Sequence, residues 1–92
     1  MNAAILGCGD YVQRWESGPI SESKQFKVKT LYDVNRDQAR KLSKKIQAEI
    51  SESDDKIFSD PDIDIVCLFV PPWVRKPLFD KAVQSNKHII TT

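Results

Sequence analysis

Cysteine and histidine are scarce in this sequence. It has two cysteines, Cys8 and Cys67, and a single histidine, His88. A structural zinc site and a disulfide framework both need more such residues, so neither is predicted and no metal is expected. Because both cysteines lie among apolar residues, we expect two buried, reduced thiols, as in cytoplasmic proteins.

A charge excess and a long apolar run are also missing. The 14 Lys and Arg residues are balanced by 13 Asp and Glu residues, which leaves a net charge of +1. Binding to a nucleic-acid backbone needs a clear basic excess, so no nucleic-acid partner is predicted. The longest apolar run, Ile65–Val70, is far shorter than the roughly 20 residues that cross a bilayer. Since no basic region precedes the apolar start of the chain, we predict a cytoplasmic protein with no membrane partner.

Short apolar runs alternate with segments of helical periodicity. Strands are predicted at Ala3–Leu6, Phe26–Asp33, near Ile50, at Ile63–Val70 and at His88–Thr91. Helices are predicted within 11–23, after Asn35 as the N-cap, at Ser53–Phe58 and at Trp73–Ser85, where Asn86 ends the helix in a left-handed conformation. This alternation is typical of an α/β fold with right-handed parallel crossovers. Because the sequence has no linker and no internal repeat, we predict one domain over residues 1–92. Its expected architecture is a Rossmann-like three-layer fold, with a mostly parallel sheet and helices on both faces.

A glycine-containing turn follows the first predicted strand. The sequence there is Gly7-Cys8-Gly9-Asp10-Tyr11-Val12, and it also opens a predicted helix. Gly7 permits a tight turn, Gly9 lets a pyrophosphate approach the backbone, and the free N–H groups of a helix start attract an anion. The turn is therefore predicted to bind the pyrophosphate of a dinucleotide through Gly7, Gly9, Asp10, Tyr11 and Val12. A tight turn without a ligand is the alternative.

Two further segments lie at the carboxyl ends of predicted strands. Asp33 ends the second strand, where a carboxylate accepts hydrogen bonds from an adenosine ribose and repels the 2′-phosphate of NADP. Arg36 nearby offsets that repulsion, so NAD is only slightly preferred over NADP as the cofactor. The alternative role for Asp33 is to cap the helix that follows. After the long apolar strand, Pro71 and Trp73 are expected beside the nicotinamide half of the dinucleotide.

These motifs together resemble the N-terminal domain of the Gfo/Idh/MocA oxidoreductases, the family of glucose–fructose oxidoreductase and inositol dehydrogenase. The resemblance covers nearly the whole chain and rests on segments 5–12, 32–36, 59–66 and 86–90. It implies a Rossmann domain that binds NAD(H) or NADP(H). It also implies that the complete enzyme moves a hydride between that cofactor and a sugar or polyol-type substrate, which a second α/β domain holds.

Several positions depart from the family's motifs. Val12 stands where Gly or Ala is usual, and we expect its bulk to displace the first helix and to alter cofactor binding. After the central strand Pro71 matches the family, whereas Pro72 and Arg75 occupy the positions of an Asn and a His. The family's Glu-Lys-Pro motif, whose Lys assists proton transfer, would begin at Thr92. We therefore expect neither a catalytic residue nor the substrate domain within residues 1–92.

Two other functions stay open at this point. S-adenosylmethionine-dependent methyltransferases also have a glycine-rich loop after their first strand, but Val70 lacks the polar group that holds a target amine in their Asn/Asp-Pro-Pro motif. The other alternative is a non-catalytic interaction module, because a Rossmann domain without its companion exposes an apolar face. Trp73 is expected on that face, and self-association through it is predicted.

Overall fold

Five strands and three helices lie in the described part of the computed structural model, which comprises residues 2–9 and 27–91. In chain order they are β1 (Asn2–Leu6), β2 (Lys27–Tyr32), α1 (Arg36–Ile46), β3 (Glu49–Ile50), α2 (Asp54–Ser59), β4 (Ile65–Leu68), α3 (Pro72–Gln84) and β5 (His88–Thr91). The helix predicted within 11–23 and three site candidates, Asp10, Tyr11 and Val12, lie outside the described residues.

The five strands form one parallel sheet in the order β3-β2-β1-β4-β5. From β1 the chain moves outwards to β2 and β3, and then returns to β4 on the other side of β1. The carboxyl ends of β1 and β4 therefore lie side by side, with Leu6 opposite Leu68. Such a reversal of strand order is where open α/β sheets bind their ligands. The predicted α/β, Rossmann-like class is confirmed.

Side chains that alternate along the strands form two apolar layers, one on each face of the sheet. The layer against α1 includes Ala3, Ile5, Leu31, Cys67, Ala39 and Leu42. The layer against α2 and α3 includes Ala4, Leu6, Val66, Leu68, Ile57, Phe58, Leu78 and Ala82. Successive residues of a strand point to opposite faces, which is why Ala3 and Ala4 belong to different layers. Helices thus cover both faces, as predicted.

Strand β4 is shorter than the sequence predicted. The apolar run predicts a strand over Ile63–Val70, whereas the structure pairs only Ile65–Leu68. Ile63 is buried, but its N–H donates to the carbonyl of Asp60 in the preceding turn (3.2 Å) and not to a neighbouring strand. The predicted strand was therefore too long, because apolar residues beside a strand are buried as deeply as those within it.

The helix ends follow their sequence signals. The side chain of Asn35 accepts hydrogen bonds from the N–H groups of Asp37 and Gln38 (3.1 and 3.3 Å), so the predicted N-cap of α1 is confirmed. Pro72 is the first residue of α3, a position that needs no N–H donor. After α3, Asn86 adopts the predicted left-handed conformation, with φ 58°.

Candidate cofactor site

Gly7 lies where the carboxyl ends of three strands meet. Its N–H donates to the carbonyl of Tyr32 at the end of β2 (3.0 Å), and the N–H of Phe69 donates to the carbonyl of Leu6 (2.8 Å). The φ angle of Gly7 is +98°, and a Cβ added there would overlap the carbonyl oxygen of Phe69 and lie 2.7 Å from its carbon. No residue with a side chain fits this turn, so β1 approaches the end of β4 as closely as it does because residue 7 is glycine.

Gly9 has the opposite surroundings. A Cβ added to Gly9 would meet no atom of residues 2–9 and 27–91 within 4 Å, and the φ of Gly9 lies outside the left-handed region. The backbone therefore adopts no conformation here that requires glycine, and none of the described residues crowds the position of a side chain. This lack of crowding at the switch point of the sheet fits a phosphate group that approaches the Gly9 backbone.

Asp33 joins the end of β2 to the glycine turn. Its Oδ2 accepts a hydrogen bond from the N–H of Cys8 (2.7 Å), and its Oδ1 accepts one from the N–H of Asn35 (2.8 Å). The N-cap of α1 is Asn35, so the role of Asp33 is not merely to cap this helix. Each carboxylate oxygen has a further lone pair that can accept from a ligand hydroxyl. The bond to Cys8 was not foreseen, because it depends on how closely β1 and β2 converge.

Cys8, between the two glycines, is buried and unreactive. Its Sγ–H points to the carbonyl oxygen of Tyr32 (3.7 Å). Burial, and then the negative charge of Asp33, raise the pKa of the Cys8 thiol to about 12, although the hydrogen bond to Tyr32 acts in the other direction. Burial alone raises the pKa of the Cys67 thiol to about 12. Both thiols are neutral at physiological pH, so neither is a nucleophile there.

The end of β4 carries the other predicted residues. Val70 follows the strand, and its Cγ1 would lie 3.0 Å from a Cβ added at Gly7, so this segment adjoins the glycine turn. Pro71 precedes α3 and is exposed. Trp73, in the first turn of α3, is 81% exposed and so does not pack into the core at the start of this helix. The structure thus brings Gly7, Gly9 and Asp33 together, with Pro71 on the neighbouring segment.

Arg36 lies at the start of α1 and is exposed. The pKa of Glu52 is lowered, first by the hydrogen bond and the charge of Lys56 and to a smaller degree by the positive charge of Arg36. A carboxylate therefore lies within electrostatic reach of Arg36. That carboxylate is itself paired with Lys56 (2.7 Å).

Neither a metal centre nor a membrane span is found in the described residues. Residues 2–9 and 27–91 contain no group of three or more His, Cys, Asp or Glu side chains placed to hold a metal ion. Within the same ranges, no helix combines the length and the apolar character that crossing a bilayer requires.

The parallel sheet, with a glycine turn at its switch point, defines a Rossmann-like α/β domain. A family model described as "Oxidoreductase family, NAD-binding Rossmann fold" matches residues 1–91. The chain therefore belongs to the Gfo/Idh/MocA oxidoreductases, as an NAD-binding Rossmann domain, and the resemblance predicted from its motifs is confirmed. This membership sets aside the methyltransferase alternative. A search of curated protein sequences gave no match.

Solved structures of oxidoreductases share the fold at low sequence identity. A protein proposed to be a myo-inositol dehydrogenase, from Sinorhizobium meliloti, superposes with a TM-score of 0.89 and 19% identity over 99% of the chain. A 3-ketoreductase from Actinomadura kijaniata, solved with NADP and TDP-benzene, superposes with a TM-score of 0.88 and 19% identity over 99% of the chain. Biliverdin reductase from Synechocystis, solved with biliverdin and NADP+, superposes with a TM-score of 0.88 and 18% identity over 98% of the chain. The chain spans 27%, 28% and 28% of these three proteins, respectively.

Proposed function

We propose that this chain is the cofactor-binding part of an oxidoreductase that transfers a hydride between NAD(P) and a sugar or polyol-type substrate. The observation that carries the proposal is the convergence of Gly7, Gly9 and Asp33 at the reversal of strand order. Nicotinamide, when bound, supplies the hydride chemistry. The residues of this chain hold and orient it, and the substrate is held by a further domain.

The proposed contacts follow the three strand ends. The backbone of the glycine turn holds the pyrophosphate, and Asp33 accepts hydrogen bonds from the adenosine ribose. Pro71 and Trp73 flank the nicotinamide half. The residues proposed for the pyrophosphate are Gly7, Gly9, Asp10, Tyr11 and Val12, the last three on the strength of the sequence.

A slight preference for NAD over NADP is proposed from charge. Asp33 repels the additional 2′-phosphate of NADP, and Arg36 only partly offsets that repulsion. The variant Asp33→Asn removes the negative charge and keeps an oxygen that can accept from the N–H of Cys8. We expect this variant to bind NADPH better relative to NADH than the unmodified chain does.

Calorimetric titration of the chain with NADH and NADPH tests the proposal. We expect saturable binding of both, with NADH bound somewhat more tightly. The matched variant is Gly9→Val, because a Cβ at this position would meet no atom of the described residues within 4 Å. It should fold and lose binding. If neither dinucleotide binds to the unmodified chain at millimolar concentration, the proposal is wrong.

Self-association is proposed as a second property, and a cytoplasmic location as a third. Trp73 and Val34 are 81% and 85% exposed, an unusual state for large apolar side chains, and both follow the carboxyl ends of strands. Association through this surface would also suit a non-catalytic interaction module. The cytoplasmic location is supported by two buried cysteines, Cys8 and Cys67, that form no disulfide in the described part of the chain.

A further inference from the structure

Arg75 places a positive charge next to the candidate cofactor site. It lies in the first turn of α3, directly after the carboxyl end of β4. Its Nη2 donates to the carbonyl oxygen of Val70 (3.2 Å). Val70 also adjoins Gly7 through its side chain, so Arg75 is bonded to a residue that borders the glycine turn.

This guanidinium is not neutralised by any neighbour in the described part of the chain. Its Nε is fully buried and has no hydrogen-bond partner. Within residues 2–9 and 27–91 the bond to Val70 is its only hydrogen bond or ion pair. The next residue differs in this respect, since Lys76 forms an exposed ion pair with Asp80 (3.0 Å).

A buried N–H donor without an acceptor destabilises a fold. A lysine at position 75 could donate to the same carbonyl without burying an unpaired N–H group. Arg75 therefore has a feature that the stability of the domain does not explain, at the strand end where the nicotinamide is proposed to bind. Nicotinamide offers a chemical reason for a charge here. Its ring is positively charged in the oxidised dinucleotide and neutral in the reduced one, so a nearby cation repels only the oxidised form.

We propose that Arg75 makes the site favour the reduced dinucleotide over the oxidised one through its positive charge. The inference rests on the proposed function, since it requires that a nicotinamide dinucleotide binds at this edge. A site with such a preference would retain reduced cofactor and release oxidised cofactor readily. That behaviour suits an enzyme that reduces its substrate.

Affinities of the chain for NADH, NAD+ and ADP-ribose, measured by calorimetry, test this inference. Replacing Arg75 by Met removes the charge and keeps an apolar stem of similar length. We expect Arg75→Met to lower the ratio of NADH to NAD+ affinity about fivefold, the order of the repulsion between two like charges in a partly exposed site. Binding of ADP-ribose, which lacks nicotinamide, should change less than twofold by the same reasoning.

Two control variants separate charge from structure. Arg75→Lys keeps the charge and should restore the affinity ratio, whereas Lys76→Met removes a charge that Asp80 already balances and should leave the ratio unchanged. In the unmodified chain, raising the salt concentration should reduce the ratio, because salt screens the charge. The salt dependence tests the inference even if the Arg75→Met variant does not fold.

Three outcomes would contradict the inference. The first is an unchanged ratio in Arg75→Met, and the second is an equal loss of NADH, NAD+ and ADP-ribose binding, which would mark a structural role. The third is a ratio that is insensitive to salt. In each of these cases the unmodified chain still binds dinucleotides, so the proposed function stands. If the unmodified chain binds none of them, both proposals are wrong.

Discussion

Gly7 and Gly9 differ in what would prevent a side chain at their positions. At Gly7 the backbone has a positive φ and the carbonyl of Phe69 occupies the space of a side chain. At Gly9 neither condition applies among the described residues. Gly7 therefore serves the fold, whereas the role proposed for Gly9 is in binding.

Substitution by alanine should separate these two roles. We expect Gly7→Ala to lower the free energy of unfolding by about 3 kcal/mol or more, because the strained φ and the overlap with Phe69 act together. Gly9→Ala should change it by no more than about 1 kcal/mol, in either direction. Urea denaturation of the two variants provides the measurement. Equal destabilisation by both substitutions would show that Gly9 has a structural role as well.

The buried thiols predict an effect of pH on stability. In the folded chain the pKa values of Cys8 and Cys67 are both raised to about 12, whereas an unfolded thiol ionises near pH 9. Between these values the unfolded chain loses protons that the folded chain keeps, so stability falls as pH rises. Each thiol contributes a loss of up to about 1.4 kcal/mol per pH unit within this window.

Denaturation at several pH values between 9 and 12 checks this effect. The variant Cys67→Ala retains one thiol and should show a shallower fall than the unmodified chain. At pH 8 neither thiol should react with iodoacetamide until the chain is unfolded. Rapid alkylation of the folded chain would show that the thiols are accessible and the account of their burial is wrong.

The sequence was most informative about individual residues where the chemistry is local. The cap at Asn35 and the left-handed conformation of Asn86 depend on neighbouring residues only, and both were predicted. A tight turn at Gly7 was predicted as well, but the overlap that excludes a side chain there comes from Phe69, which is distant in sequence. The hydrogen bond between Asp33 and the N–H of Cys8 joins residues that are 25 positions apart. It depends on the register of β1 and β2, which no local pattern determines.

At the scale of elements, α1 shows how a sequence pattern becomes a helix. Asn35 caps its first turn, and Ala39 and Leu42 face the sheet. Lys44 and Lys45 lie in its last turn, where the helix dipole stabilises positive charges. The prediction of this helix was accurate because each signal acts within one or two turns. β4 was predicted too long because its apolar character continues beyond the paired residues.

Removing the cap of α1 should weaken the domain measurably. We expect Asn35→Ala to lower the free energy of unfolding by about 1 kcal/mol, since two backbone N–H groups lose their acceptor. Asn35→Asp retains an acceptor and should stay within about 0.5 kcal/mol of the unmodified chain. Thermal denaturation of both variants is the test. If alanine and aspartate have the same effect, the side chain of Asn35 does not stabilise the helix.

Across the whole molecule, long-range ion pairs join elements that are distant in sequence. Lys81 of α3 contacts Asp54 and Asp55 at the start of α2 (3.2 and 2.8 Å), so these two helices are connected on their shared face. Lys29 of β2 contacts Asp60, which follows α2 (2.8 Å). The sequence predicted balanced charge, but not these partners, because pairing depends on the completed topology.

The exposed apolar side chains predict association at high protein concentration. Trp73 and Val34 are the two most exposed large apolar residues in the described part of the chain. We expect the average mass from light scattering to rise with concentration, and Trp73→Ser to reduce this rise. Val83→Ser, which removes an apolar side chain that is 54% exposed further along α3, is the matched control. A chain that stays monomeric up to millimolar concentration would rule out association through this surface.

The central claim is that a dinucleotide binds where β1, β2 and β4 end. Its most direct test is to follow the backbone amide signals of the ¹⁵N-labelled chain by NMR during titration with NADH. We expect saturable shifts concentrated at Gly7, Cys8, Gly9 and Asp33, with small shifts in α2 and β3. Saturable shifts confined to other parts of the sheet, or none at millimolar NADH, would contradict it.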